Sequence, residues 1–242
     1  MLHSYKILTL ALVGFLCFAS PNFAQAEMSK AEIEKIIENY IMENPQLIID
    51  SVENHRRQAS SVEQGQALIK HHRPLFKDDT VPFTGKKDGD VTVIEFFDYN
   101  CGYCKRALPS VQALLKEDAD VRFTFMELPI LGPSSETASK WALAAQKQGK
   151  YLPFHIALME SREKFSEDSL SKIAKSMDLD VDLMRKDANS DEINAVIKKN
   201  RGMARDLGVN GTPGFIIGDQ VIPGALSLDD IKKFIKEARA KK

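Results

Sequence analysis

The sequence predicts an α/β fold, a single sheet with helices on both sides, preceded by a helical arm. Three observations predict it. Two runs rich in β-branched and aromatic residues, 91–97 and 121–127, flank one amphipathic stretch, which is a strand–helix–parallel strand unit. A long helical block follows them and is closed by two short strands and a last helix, an order that one sheet covered on both faces accommodates. The stretch ahead of these, 27–74, is polar, periodic at three and four, and free of strand signals.

Residues 1–26 read as a secretory signal peptide. Lys6 gives a basic start, 7–19 is almost wholly apolar, Pro21 breaks the run, and Ala24-Gln25-Ala26 is a small-x-small cleavage site. The apolar core is shorter than the roughly 20 residues a bilayer requires. Cys17 lies inside it. Leu16 stands where a lipid-modified cysteine wants a small residue, so Cys17 is read as discarded with the signal; a retained anchor is the alternative.

The arm, 27–74, reads as two helices. Ile33, Ile36, Ile37, Tyr40 and Ile41 form one apolar stripe, and Asn44-Pro45 restarts the chain as a second helix. In that helix Ile48, Val52, His55, Ala59, Val62, Gln66 and Ile69 recur at alternating fours and threes, a heptad-like seam. Pro74 is expected to stop it. Such stripes either pack on the main domain or meet copies of themselves; the charged, heptad-like second helix favours the second, a dimer or trimer. His71-His72 beside Arg73 reads as a solvated helix end rather than a metal site.

Residues 75–90 carry Pro82, Gly85 and Gly89 and read as a linker loop, with one short strand near 80–83. The main domain, 91–242, then runs strand 91–97, helix 105–116 with Pro109 inside it, and strand 121–127. Five helical stretches follow at 135–148, 152–160, 166–177, 181–188 and 191–207, with Ser166 and Ser190 as caps. Strands 214–217 and 220–222 flank the hairpin signal Gly218-Asp219, and a helix capped by Ser227 closes the chain.

Composition removes several function classes. Of the charged residues only Lys6 lies in 1–26, so the remaining 216 residues hold 32 basic and 34 acidic side chains, net −2. There is no basic excess for a nucleic-acid partner. The three cysteines are Cys17, Cys101 and Cys104, so one Cys-x-x-Cys pair stands alone after the signal. A structural zinc needs about four ligands, and no second pair supplies them. A disulfide across two residues closes too short a loop to staple a fold. A redox pair fits the position, just after a buried-type strand and at the start of a helix. The free N–H groups and positive dipole end of that helix stabilise a thiolate. Cys101, at the terminus with its sulfur exposed, is therefore the expected attacking thiol. Cys104, a turn inside and more buried, resolves the mixed disulfide. Thiols in such pairs have pKa values lowered to roughly 3.5–7.5. Lys105 and Arg106 add positive charge nearby.

The motifs FFDYNCGYC, Gly211-Thr212-Pro213-Gly214, VIPGALSLDDI, and ELPILGP leading into SSETASKWALAA resemble the DsbA-like branch of the thioredoxin superfamily over 91–242. The resemblance implies a thioredoxin fold with a helical domain inserted at about 135–207, and no cofactor or metal. It implies that Pro213 is a cis-proline facing the pair, with the Thr212 backbone open to a substrate strand by β-addition. It also implies that Glu95 is the buried carboxylate beneath the pair, able to take and return the proton of Cys104. Tyr103, between the cysteines, would tune the potential; for this couple 30 mV is about 1.4 kcal/mol. With its phrase ENPQLI, the arm resembles the oligomerising N-terminal extension of the ScsC-type and Com1-type subfamily. Cys-Gly-Tyr-Cys and the threonine before the cis-proline are similar to periplasmic disulfide isomerases.

Three functions follow as expectations. The first is a periplasmic thiol–disulfide isomerase or reductase acting on misbridged secreted proteins and kept reduced by a membrane thiol reductase. The second is a disulfide oxidase, re-oxidised by a quinone-linked membrane partner. The third is a copper-binding module using both thiolates, since soft ligands select copper(I).

Overall fold

The computed structural model describes residues 28–241, and the signal peptide read at 1–26 lies outside them. The described residues divide into two compact units, with the boundary between Glu53 and Asn54. In the first, helix α1 (Lys30–Glu43) opens on a capping box: Glu32 N–H donates to Ser29 Oγ, and Ser29 N–H donates to Glu32 Oε2 at 2.9 Å. The expected stripe is present, but α1 buries no residue and Ile33, Ile36, Ile37, Tyr40 and Ile41 are each at least 40% exposed. Asn44 ends α1, and Pro45 begins α2 (Pro45–Lys70), whose last turns belong to the second unit.

The second unit is built on β1 (Phe83–Gly85), β2 (Val91–Phe97), β3 (Val121–Glu127), β4 (Gly214–Ile217) and β5 (Gln220–Pro223). Their order in the sheet is β1-β3-β2-β4-β5, with β2 and β3 parallel and the other pairs antiparallel. Helix α4 (Gly102–Glu117) makes the crossover from β2 to β3 that parallel neighbours require. Helices α5 (Pro133–Lys147), α6 (Tyr151–Glu160), α7 (Glu167–Ser176), α8 (Val181–Ala188) and α9 (Asp191–Asp206) fill the stretch between β3 and β4. Helix α10 (Leu228–Ala240) follows β5, capped by Ser227.

Strand alternation sorts the core into two layers. Val93, Phe97, Phe123, Phe125, Phe215 and Ile217 face a cluster with α4, α5, α6 and α10. Ile94, Phe96, Met126 and Ile216 face the other side, where Ala67 and Leu68 of α2 join Met203, Ala204, Leu207 and Val209. Glu95 shares the first face, opposite Phe125 on one neighbour and Phe215 on the other.

Residues 75–90 differ from the expected loop. Pro74 does not end helical structure but sits in the first turn of a short helix α3 (His72–Phe76), where its missing N–H costs nothing. Leu75 is 1% exposed, and the short strand falls at Phe83–Gly85 as the sheet edge. Arg122 of β3 explains the order. Its guanidinium, buried, donates to Asp79 Oδ1 (3.0 Å), Lys87 O (3.0 Å) and Asp78 O (3.2 Å) and lies 3.8 Å from the centre of the Phe83 ring.

Candidate active site

The site forms where β2 ends. After Phe97 the chain turns through 98–101 and enters α4 with Cys101 as N-cap. The turn is held by Asp98, fully buried, whose carboxylate accepts four hydrogen bonds. Asn100 N–H (2.8 Å) and Ser135 Oγ (2.7 Å) donate to Oδ1; Ile130 N–H (2.8 Å) and Leu131 N–H (2.9 Å) donate to Oδ2. Cys101 N–H also donates to the Asp98 carbonyl at 3.0 Å. Asp98 thus fixes the cysteine turn to the 129–135 segment that begins α5.

Both cysteines are thiols. Cys101 Sγ accepts from Cys104 N–H at 3.4 Å, the contact expected of a sulfur at a helix N-terminus. Its exposure corrects the expectation: Cys101 is 5% exposed, close to the 1% of Cys104. The cover comes from the loop before β4, where Cys101 S–H donates to Thr212 O at 3.1 Å. The Thr212–Pro213 peptide is cis, and Pro213 O accepts from Gly224 N–H at 2.9 Å, tying this loop to the exit of β5. The structure therefore brings Cys101, Cys104, Thr212 and Pro213 to one place from segments more than 100 residues apart.

Tyr103 is 62% exposed, with the Arg106 guanidinium 4.2 Å from its ring centre. It lines a cavity of about 480 Å³ with Thr212, Pro213, Val221, Ile222 and Gln64. Lys105 does not serve the pair as charge. Its Nζ donates to Ser161 O and, at 3.5 Å, to Leu158 O, so it caps the end of α6.

Beneath the pair, Glu95 is 3% exposed and its Oε1 has no hydrogen-bond partner. Burial first, and the charge of Cys101 second, push its carboxyl up to about 8. Cys104 is pushed far above the thiol range, by burial and then by the charge of Glu95. Two further buried carboxyls, Asp98 and Glu127, were not singled out from sequence. Glu127 Oε1 accepts from Tyr99 Oη (2.9 Å) and Tyr151 Oη (2.7 Å), and burial raises Glu127 to about 8. Tyr99 Oη also lies 3.0 Å from His155 Nδ1, and burial holds His155 down to about 3, hence neutral. These groups are 24 to 56 residues apart in sequence, and the one available signal was a glutamate ending a strand otherwise built for burial.

Residues 92–236 match the family model described as a DSBA-like thioredoxin domain. The chain belongs to the DsbA-like thioredoxin family. Residues 30–60 of this DsbA-like chain also match the copper resistance protein ScsC N-terminal domain. A thioredoxin-like oxidoreductase from Silicibacter pomeroyi is 42% identical, with TM-score 0.67, over 69% of this chain and 97% of its own. A linker-deleted variant of Proteus mirabilis ScsC is 28% identical, with TM-score 0.70, over 90% of this chain and all of its own. Disulfide bond formation protein D of Bacillus subtilis is 27% identical over 78% of this chain and 86% of its own length. The chain spans about a quarter of the sodium–proton antiporters it also matches, 24% of one from Salinispora tropica at 28% identity. The family's thioredoxin fold accounts for the sheet order and for the helical block between β3 and β4. The family and these relatives support a thiol–disulfide oxidoreductase of the DsbA and ScsC type, and this chain places one thiol at a helix N-terminus and a second one turn inside.

Among the described residues, no group of three or more His, Cys, Asp or Glu is arranged to hold a metal. No helix among them is long and apolar enough to cross a membrane.

Proposed function

We propose that this chain is an exported thiol–disulfide isomerase and reductase that works as a homo-oligomer on misbridged proteins of the periplasm. The observation that carries the reading is the uncovered stripe of α1, which buries no residue of its own, in the same chain as a Cys-Gly-Tyr-Cys exchange site. A stripe of this width is stable in water when covered, and a second or third copy covers it with the same face. The match of 30–60 to the ScsC N-terminal domain supports the assignment. Several active sites around one client favour reshuffling, because a client thiol released at one site is met by another.

Cys101 attacks one sulfur of a client disulfide as thiolate. An S–S bond forms to Cys101, and the other client sulfur leaves as thiolate. In isomerisation that thiolate opens another client disulfide, and the client thiolate so freed attacks the client sulfur of the mixed disulfide; a new client S–S bond forms and Cys101 leaves as thiolate. In reduction Cys104 attacks Cys101, the client leaves reduced, and a Cys101–Cys104 disulfide remains. A membrane thiol reductase then returns two electrons. Cys104 must lose its proton for this step, and Glu95 receives it. The Cys101 charge that opposes ionisation of Glu95 is gone once Cys101 is in the mixed disulfide, so the carboxylate becomes available when it is needed. Thr212 and Pro213 face the client strand, and Tyr103 borders it.

The test uses the full exported chain. Ile37→Glu with Ile41→Glu should reduce the mass measured by light scattering to one chain. It should also slow the refolding of scrambled ribonuclease while insulin reduction continues. A wild-type monomer at micromolar concentration, or equal isomerase activity in the variant, refutes the arm's role. The relatives named disulfide bond formation protein D favour a second reading, a disulfide oxidase re-oxidised by a quinone-linked membrane partner. Alkylation trapping in cells separates the two: a reduced pair supports the isomerase, an oxidised pair the oxidase.

A further inference from the structure

The geometry points to Gln64, near the end of α2, as a client-binding residue whose carboxamide pairs with a peptide unit of the substrate in the cavity beside Thr212. The helix read from sequence as an oligomerising arm, with packing on the main domain as the alternative, thus supplies a wall of the exchange site. The inference rests on the thiol-exchange reading of Cys101 and deepens it.

Gln64 is half-buried and lines the cavity of about 480 Å³ together with Tyr103, Thr212, Pro213, Val221 and Ile222. Its place is set by the turn that follows it. Ala67 and Leu68 are 6% and 8% exposed in the cluster with Met203, Ala204, Leu207 and Val209. Asp206 then receives Lys70 at 2.7 Å and His71 at 2.8 Å. So this end of α2 is packed on α9 over one face and tied to it by charge.

The end of α9 makes room for the side chain. The helix closes in a paired-bond terminus, Val209 N–H to Ala204 O at 2.8 Å and Gly208 N–H to Arg205 O at 3.1 Å, with Gly208 at φ +71°. A Cβ on Gly208 would come within 3.3 Å of Gln64 Nε2, so the carboxamide lies over bare backbone. Among the described residues no hydrogen bond occupies that carboxamide, and both its donor and its acceptor are free. The cavity is otherwise lined largely by Val209, Val221, Ile222, Pro223 and Ala225.

That chemistry selects a peptide. A strand laid beside Thr212 pairs one edge there and turns its other edge, with N–H and C=O groups, away. A carboxamide carries the same donor and acceptor as a peptide unit. It meets that second edge without reading side chains, which suits clients of many sequences.

The test compares two substrates on the full chain: a ten-residue peptide carrying a mixed disulfide, and 5,5′-dithiobis(2-nitrobenzoate), which has no peptide bond. Gln64→Leu should lower the ratio of peptide to small-disulfide kcat/KM about fivefold, the value of one net hydrogen bond, with the loss in KM. Gln64→Glu, keeping only the acceptor, should fall between. A peptide N-methylated beside its cysteine should lose a similar factor on the wild type and nothing further on Gln64→Leu. An unchanged ratio in both Gln64 variants overturns the assignment, as does an equal loss on both substrates, which would mean that Gln64 only supports the pair. A wild-type protein that exchanges with the small disulfide but with no peptide overturns the client reading itself, and this assignment with it.

Discussion

The buried carboxyl beneath the cysteines gives the sharpest prediction. Glu95 is held near 8 against an ordinary carboxyl value of 4.5, chiefly because burial penalises its charged form. Each tenfold change in proton affinity is about 1.4 kcal/mol, so the gap corresponds to about 5 kcal/mol, an upper bound for so buried a group. The sign follows from the raised value. The folded chain holds the proton more tightly than the unfolded chain. The contribution is therefore complete below about pH 4.5, falls as pH rises, and is lost above about pH 8. Glu95→Gln removes the titration while keeping the shape. Urea unfolding of both proteins in a Cys101→Ser, Cys104→Ser background, at intervals from pH 4.5 to 9, isolates the effect, because Glu127 and His155 titrate equally in both. The stability of Glu95→Gln relative to its parent should rise across that range by several kcal/mol and then level off. A difference constant to within about 1 kcal/mol would show that Glu95 ionises as an ordinary surface carboxyl, and would remove it from the proton transfer.

Three further outcomes follow from the same geometry. Cys104→Ser should accumulate mixed disulfides with clients on a non-reducing gel, whereas Cys101→Ser should show no exchange at all; trapping by Cys101→Ser instead would reverse the two roles. Asp98→Ala strips the acceptor from four hydrogen bonds to a charged group and should cost at least about 3 kcal/mol in urea unfolding. Asp98→Asn, which keeps one acceptor oxygen, should cost less. Arg122→Met should speed amide exchange across 78–90 without changing the thiol chemistry, since it removes the anchor of that segment and leaves β2 and α4 intact.

The sequence was legible where local signals and burial agree. Val91–Phe97 and Val121–Glu127 are strands at the limits their β-branched and aromatic runs mark, and Ser166, Ser190 and Ser227 cap the helices expected of them. The spacing of the Cys-x-x-Cys pair put both cysteines in the first turn of a helix, and the resemblance put the cis Thr212–Pro213 peptide against them; both placements are seen. What was missed depends on contacts distant in sequence. The short strand expected near 80–83 falls at Phe83–Gly85 instead, and what was not legible is that it owes its order to an arginine 37 positions after Gly85. Cys101 looked exposed because nothing near it in sequence covers it; its cover is Thr212, 111 residues away. The Tyr99–Glu127–Tyr151–His155 network has no spacing rule, only the oddity of a carboxylate ending a fully buried strand.

Why Glu95, rather than another acid, should serve Cys104 follows from comparing what each carboxyl already does. The fully buried acids among the described residues are Glu95, Asp98 and Glu127. Asp98 accepts four hydrogen bonds, which stabilise its charge and spend its lone pairs on the turn. Glu127 Oε1 holds two tyrosine hydroxyls and its Oε2 has no partner, so hydrogen bonding alone does not separate it from Glu95. Glu95 Oε1 has no partner, and its charge is felt at Cys104 directly. Burial also outweighs the helix field at the pair. A helix N-terminus stabilises a negative charge by about 0.3–1 kcal/mol, and about 2 when partly buried. The desolvation holding Cys104 above the thiol range is larger. Cys104 is the thiol that burial holds in its protonated form. Its release depends on a proton acceptor rather than on a stronger dipole, so substitutions that expose Cys104 should relieve the need for Glu95. A variant that lets water reach Cys104, such as Leu108→Ala one turn along α4, should narrow the rate difference between Glu95 and Gln at this position. If the difference persists undiminished, the acceptor role belongs elsewhere.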